Sequence, residues 1–282
     1  MEYLLHLSIL IAIYAMLSQS LNLSAGFGGM ISLAHAGFYG VGAYTAALLS
    51  VNHQLPFLLT LPAAMLLSGL LALIVSAIAL RTIDDYFIIC TLGIQVVIFS
   101  LMNNWMSLTR GPLGIPGIPS IQLLGFGIES KPAFLLLAIF FAALIFFFLK
   151  KLTGSSFGRT LRALSEDEIF TQSLGKNVYL AKVTAFTLSA MLAAVPGTLY
   201  AHYISYIDPT SFTVDESIFI LSIVIIGGMR NLWGSVMAAA FLVLLPEALR
   251  FVGMPNSIAA NMRQIIYGGI LIFMMFRYSR GL

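Results

Sequence analysis

From Tyr3 to Leu80 the chain carries no Asp, Glu, Lys or Arg. Such a stretch cannot build a water-facing surface, but it suits a bilayer. A hydrocarbon core about 30 Å thick needs roughly 20 apolar residues per helix, so this stretch alone holds about three crossings. Barrel strands alternate apolar and polar residues over ~10-residue segments, whereas these runs are continuously apolar. Only helices then satisfy the backbone inside lipid. The rest of the chain is similar: 9% of its 282 residues are charged, against about 25% in soluble domains. The expected fold is an all-α, polytopic transmembrane helical bundle of about 8–10 spans, with residues 1–282 forming a single transmembrane domain.

The apolar runs place spans at about 4–23, 31–50, 57–80, 86–104, 133–149, 183–206, 217–229, 235–249 and 264–276. The second and seventh are flanked by glycine pairs, and either could be broken or re-entrant. The first run follows Glu2 with no basic segment before it, so it is expected to be a retained span and not a cleaved signal peptide. The single cysteine, Cys90, excludes an intramolecular disulfide and a multi-cysteine metal site. The net charge of +3 arises from basic residues at span ends and does not point to nucleic acid.

Basic residues set the orientation. The segment of about 153–182, with Lys150 and Lys151 just before it, contains Arg159, Arg162, Lys176 and Lys182, which makes it cytoplasmic. Arg277 and Arg280 put the C-terminus on the same side. The loop of about 103–132 and the acidic loop 207–216, with Asp208, Asp215 and Glu216, then lie outside. With nine real spans the N-terminus is also outside; one re-entrant segment would reverse it.

Three interruptions carry the functional signal. The first runs from Ala25 to Tyr44, with glycines at 26, 28, 29, 37, 40 and 42. Glycine permits close helix packing, or an unwound segment whose amides face a polar solute; both readings stay open. His35 is the one ionisable group in the second span, either a packed, hydrogen-bonded histidine or a proton relay. Gly28-Gly29-Met30 recurs as Gly227-Gly228-Met229, by chance or as a degenerate internal repeat. The candidate substrate path is Gly28, Gly29, Ser32, His35, Gly37, Gly227 and Gly228.

The second interruption is the cytoplasmic segment Gly158 to Lys176. Ser165 is expected to cap a short helix with Glu166, Asp167 and Glu168 in its first turn. Gly175 is expected to stop it. Ile169, Phe170 and Leu174 fall on one face, suited to a lipid surface or to a partner's groove. The third interruption is the Gly/Pro-rich outer loop with Asn103, Asn104, Trp105, Arg110 and Pro112. It is either a connector or a surface for an external partner.

Enzymatic signals are weak. His6, His35, His53 and His202 lack metal-ligand spacing, and neither a Walker A motif nor a Gly-x-Ser-x-Gly elbow is present. No carboxylate sits mid-span, as an ion-driven carrier often needs. Glu247 is placed to pair with Arg250. The residues alone stop at a transporter or channel subunit with a partner-facing cytoplasmic helix.

The same segments resemble the LivM-type permeases of ABC importers for branched-chain amino acids. The likeness lies in the glycine-rich Ser32-Leu33…His35-Ala36…Phe38 region, and in Tyr86-Phe87 to Thr91-Leu92-Gly93. It continues through Asn103-Asn104-Trp105 to Gly117-Ile118-Pro119, the Gly158 to Gly175 region, Leu232-Trp233-Gly234 and Leu245-Pro246-Glu247. It covers nearly the whole chain. The resemblance implies a homologous LivH-type permease partner, two cytoplasmic ABC ATPases and a periplasmic or extracellular substrate-binding protein. It implies a multi-pass subunit of a bacterial or archaeal cytoplasmic (inner) membrane. ATP and Mg would reside on the ATPases, with no cofactor or metal on this chain. Arg162, Ser165, Glu166, Asp167, Glu168, Phe170, Leu174 and Gly175 would couple to an ATPase, and Asn104, Trp105, Arg110 and Pro112 would face the binding protein. One departure stands out: many relatives carry an acidic and a basic residue after Thr-Leu-Gly, where this chain has Gln95 and Ser100. Leucine, isoleucine and valine are the favoured substrates; urea, short amides or other amino acids are alternatives. A stand-alone secondary carrier or channel is the alternative of a different class.

Overall fold

A computed structural model describes residues 2–82, 85–123, 126–128, 130–251 and 268–269. The expected ninth span, Arg277 and Arg280 lie outside the described residues, apart from two helical positions at 268–269, and so does the side chain of Arg250.

The first six helices are α1 (Glu2–Asn22), α2 (His35–His53), α3 (Phe57–Ala79), α4 (Asp85–Asn104), α5 (Lys131–Gly154) and α6 (Ser156–Glu166). They are followed by α7 (Glu168–Ser173), α8 (Val178–Ile204), α9 (Val214–Gly227) and α10 (Leu232–Phe251). Four short strands accompany them: β1 (Ile115–Pro116), β2 (Ile121–Leu123), β3 (Phe126–Ile128) and β4 (Tyr206–Ile207). The chain is an all-α polytopic bundle, and the strands only tie loops together.

Among the described residues, five helices are long and apolar enough to cross a membrane: α1 with its continuation to Phe27, α3, α4, α5 and α8. The 14-residue α9 spans only about 21 Å at 1.5 Å per residue, less than a bilayer core. Ahead of it lies a 3₁₀ turn, Pro209–Phe212, whose Phe212 ring is buried among Tyr39, Tyr44 and Tyr200. Non-helical backbone is tolerated in a membrane protein where protein covers it.

Lipid offers helices no hydrophobic reason to associate, so close packing between small residues must hold them. The centre of the bundle is α8, which runs along both α2 and α3. A Cβ added to Gly42 would stand 2.5 Å from Ala194 Cα, so the α2 and α8 backbones meet there. Gly197 of α8 likewise faces the Tyr39 carbonyl. The second layer is α1, packed on α5, α8 and α10.

Two contacts define one end of the bundle: the Lys131–Glu2 ion pair at 2.8 Å and the pairing of Ile115 with Ile207. Residue 2, the 103–131 loop and the α8–α9 connection therefore share that end. The opposite end gathers Arg81, Lys150, Lys151, Arg159, Arg162, Lys176, Lys182 and Arg230.

The segment of about 153–182 differs from expectation. Ser165 does not cap a helix; it sits in the last turn of α6. Asp167 adopts an extended backbone, breaks the segment in two and caps α7, accepting the Phe170 amide at 2.8 Å. An aspartate carboxylate reaches the third amide ahead of it as well as a serine does, so either residue suited the sequence pattern. Gly175 ends α7 with φ +75°, as its position required.

Candidate functional site

The candidate site begins where α1 ends. Its last turn widens into a π-helix, Leu23–Phe27, with the Gly28 amide donating to the Leu23 carbonyl five residues back at 3.2 Å. Such wide turns recur at functional positions. The chain is then non-helical until His35. The second span itself is unbroken; the break precedes it. Gly29 has φ +69°, and Gly228, the break between α9 and α10, has φ +88°. Both are conformations that glycine adopts without strain.

The two breaks are adjacent in space. Asn22, fully buried, accepts the Arg230 amide at 2.9 Å and donates to the Asn231 carbonyl at 3.2 Å and to Ser235 Oγ at 2.7 Å. The Arg230 side chain turns to the end of α6. It donates to Glu166 Oε1 and to Ser165 Oγ, each at 2.8 Å, and reaches the Gly26 carbonyl at 3.4 Å. A Cβ on Gly29 would stand 3.0 Å from Ser165 Cβ. The end of α6 thus rests against both glycine breaks. Arg230 itself holds φ +66°, uncommon for a residue with a side chain.

The remaining coupling candidates are held within the chain. The Arg162 guanidinium lies 5.6 Å over the Phe27 ring and donates to the Thr153 carbonyl at 2.7 Å. Glu168 pairs with Lys182. With Glu166 on Arg230 and Asp167 capping α7, each acidic residue of the turn has a partner in this chain. Three apolar side chains of this segment also stand outward: Ile169, Phe170 and Leu174 are exposed, Ile169 at 81%.

The start of α2 forms a second cluster. Its first amides are taken up by side-chain oxygens. Ala36 N–H donates to Ser217 Oγ at 3.0 Å, Gly37 N–H to Gln95 Oε1 at 2.7 Å, and Leu33 N–H to Thr91 Oγ1 at 3.1 Å. Ser32 Oγ accepts the Ala34 amide at 3.2 Å. These four amides are therefore not free to face a solute. Fully buried Gln95 also donates through Nε2 to the Phe212 carbonyl at 2.8 Å. A side-chain amide can accept through its oxygen and donate through its nitrogen at once, which an ionised carboxylate cannot. The glutamine joins α4 to the start of α2 and to the 3₁₀ turn.

His35 is buried, with Nε2 2.8 Å from Ser20 Oγ. The Ser20 hydroxyl donates to the Leu17 carbonyl at 2.7 Å, leaving its oxygen to accept from the imidazole. This is the packed-histidine arrangement. Inside α2, glycine serves close contact. Positions beside Gly37 and Gly40 are filled by Gln95 and Ile98, and by Phe212 and Met102.

In the 103–132 loop, Asn104 Nδ2 donates to the Ser100 carbonyl at 2.9 Å, and Trp105 Nε1 to Ser107 Oγ at 3.0 Å. Trp105, Arg110 and Pro112 are exposed. The structure brings Gly28, Gly29, Gly227 and Gly228 together with Ser165 and Glu166, and leaves the outer-loop residues at the other end. Sequence reasoning missed Asn22, Ser217 and Arg230. A polar Asn22 at the end of an apolar span was the available signal for the first of these.

The family model for the permease component of branched-chain amino acid transport systems matches residues 3–275. The high-affinity branched-chain amino acid transport system permease protein LivM of Salmonella typhimurium is 35% identical, over 96% of this chain and 67% of that protein. LivM of Escherichia coli is 34% identical over the same shares. The permease protein LivH of Salmonella typhimurium is 24% identical over 84% of this chain and 81% of its own length. No solved structure matches.

Proposed function

The chain belongs to the family of permease components of branched-chain amino acid transport systems, and from that premise we propose that it is the membrane-spanning subunit of an ATP-driven importer that moves leucine, isoleucine and valine into the cell. It pairs with a LivH-type permease and receives substrate from a periplasmic or extracellular binding protein at the Trp105–Pro112 loop. Two cytoplasmic ATPases supply the energy. ATP and Mg bind to them, and this chain neither hydrolyses ATP nor carries a cofactor. The end rich in Lys and Arg faces the cytoplasm by the positive-inside rule. The glycine breaks line or hinge the path.

The observation that carries this reading is α6–α7. Its three acidic side chains have partners within the chain, its apolar Ile169, Phe170 and Leu174 stand outward, and its end is bonded to both glycine breaks through Arg230. An amphipathic element of this kind fits a hydrophobic cleft. When the ATPases move it, the bonds at Ser165 and Glu166 carry that movement to the breaks.

The test is Phe170→Asp combined with Ile169→Asp. Both side chains are exposed, so insertion and folding persist, while co-purification of the ATPases and uptake of radiolabelled leucine are lost. Retained uptake would refute coupling through this face. A panel of labelled amino acids and urea, offered to the reconstituted complex, then reads the substrate separately.

A further inference from the structure

At the basic end of the bundle, α5, α6 and the start of α10 border an open cavity of about 440 Å³. Three cations line it: Lys150, Arg162 and Arg230. No carboxylate lines it among the described residues. Arg230 shares its charge with Glu166. The bond from Arg162 to a backbone carbonyl and its place over Phe27 leave its charge unneutralised. Lys150 is exposed at the last turns of α5.

The floor of the cavity is aromatic. Phe146 and Trp233 meet at 4.8 Å between ring centroids, and both line it. Trp233 is also exposed outward, and Met237 and Phe241 follow it one turn apart on the same exposed face of α10. A concentrated positive charge therefore stands directly above an exposed apolar stripe, with tryptophan at the boundary. That order matches a phospholipid seen from the side: phosphate, interface, acyl chain. Tryptophan prefers the interface, and basic pockets between helices on the cytoplasmic side attract anionic headgroups.

We propose that this cavity is a binding site for one anionic phospholipid of the inner leaflet. Lys150 and Arg162 hold its phosphate, and its acyl chains run along Trp233, Met237 and Phe241. The site depends on the chain spanning the membrane with this end inside, and not on which substrate is carried. Because Arg230 lines the cavity and also bonds Glu166, an occupied site lies next to the junction of α6 with the glycine breaks.

The experiment measures binding of tail-labelled phosphatidylglycerol to the purified transporter complex in detergent. Phosphatidylcholine and soluble glycerol 3-phosphate are the comparison probes. Each cation removed is expected to weaken phosphatidylglycerol binding about fivefold, so Lys150→Gln loses about that much and Lys150→Gln with Arg162→Gln roughly 25-fold. Lys151→Gln removes the same charge one residue away, outside the cavity, and is expected to bind as the unaltered complex does. Three results would overturn the proposal: equal binding of phosphatidylcholine, equal loss in Lys151→Gln, or a soluble headgroup binding as tightly as the lipid. Lys150→Gln alone, on an exposed side chain, keeps the test available should the double variant fail to fold.

Discussion

The Arg230 guanidinium donates to the Glu166 carboxylate at 2.8 Å, across 64 residues of sequence. The same guanidinium holds Ser165 Oγ at 2.8 Å, while the Arg230 amide is held by Asn22 at 2.9 Å. One residue thus joins the end of α1, the break before α10 and the end of α6. An exposed ion pair by itself contributes little, about 0–1 kcal/mol. The importance of this one lies in the three elements that it ties together.

Replacing Arg230 tests that link. Arg230→Ala removes every side-chain bond, and Arg230→Lys keeps the charge but not the planar fork. Uptake by the reconstituted complex is expected to fall in the order unaltered, Lys, Ala, with amounts in the membrane unchanged. Normal uptake by the Ala variant would make the link a bystander.

Gln95 is the second test. Gln95→Leu leaves the Phe212 carbonyl without its donor and deprives Gly37 N–H of its stronger acceptor. Unmade buried bonds cost about 1–3 kcal/mol each. Gly37 N–H retains a bond to the Ala34 carbonyl at 3.1 Å, so the lower half of the summed range is expected. Thermal unfolding in detergent should drop by several degrees, as about 1 kcal/mol shifts Tm by roughly 2–4 °C in a chain of this size. Gln95→Glu should be worse where the carboxylate is ionised, because it then cannot donate and is a buried charge, and should recover as pH falls and the carboxyl is protonated. A Glu variant as stable as the native protein at high pH would contradict the bridging role.

A pair of glycines separates packing from conformation. Gly42→Ala places a methyl group 2.5 Å from Ala194 Cα. Forcing α2 from α8 is expected to cost about 1–3 kcal/mol. Gly93 in α4 has open space where a Cβ would go. Gly93→Ala is expected to be neutral or to stabilise by up to about 1 kcal/mol through helix propensity. Thermal unfolding of both variants in one detergent reads the contrast; equal melting temperatures would remove the argument for close contact.

Much of the framework was legible beforehand. The long apolar runs from about Phe57, Tyr86 and Ala133 onward could only be helices, and their ends were marked by Pro56, Arg81 and Lys150. Gly175 was readable as a stop because few residues other than glycine end a helix with positive φ. The cap of α7 was misread, since Ser165 and Asp167 are both competent and only the fold of α6 through residue 166 excluded the serine. The short pairing of Ile115 with Ile207 had no local signal, being a contact across 92 residues.

The sequence by itself determined that this chain crosses a membrane as helices, because an uncharged run must satisfy its backbone internally. It also determined where the helices are interrupted, because glycine, proline and charge are local properties. Only the tertiary structure decided what those interruptions touch. Whether the amides before α2 stay open or are filled by Ser217, Gln95 and Thr91 depends on α4 and α9 arriving beside them. That Gly29 and Gly228 meet at Ser165 and Arg230 follows from helices distant in sequence packing side by side, and no local pattern encodes that neighbourhood.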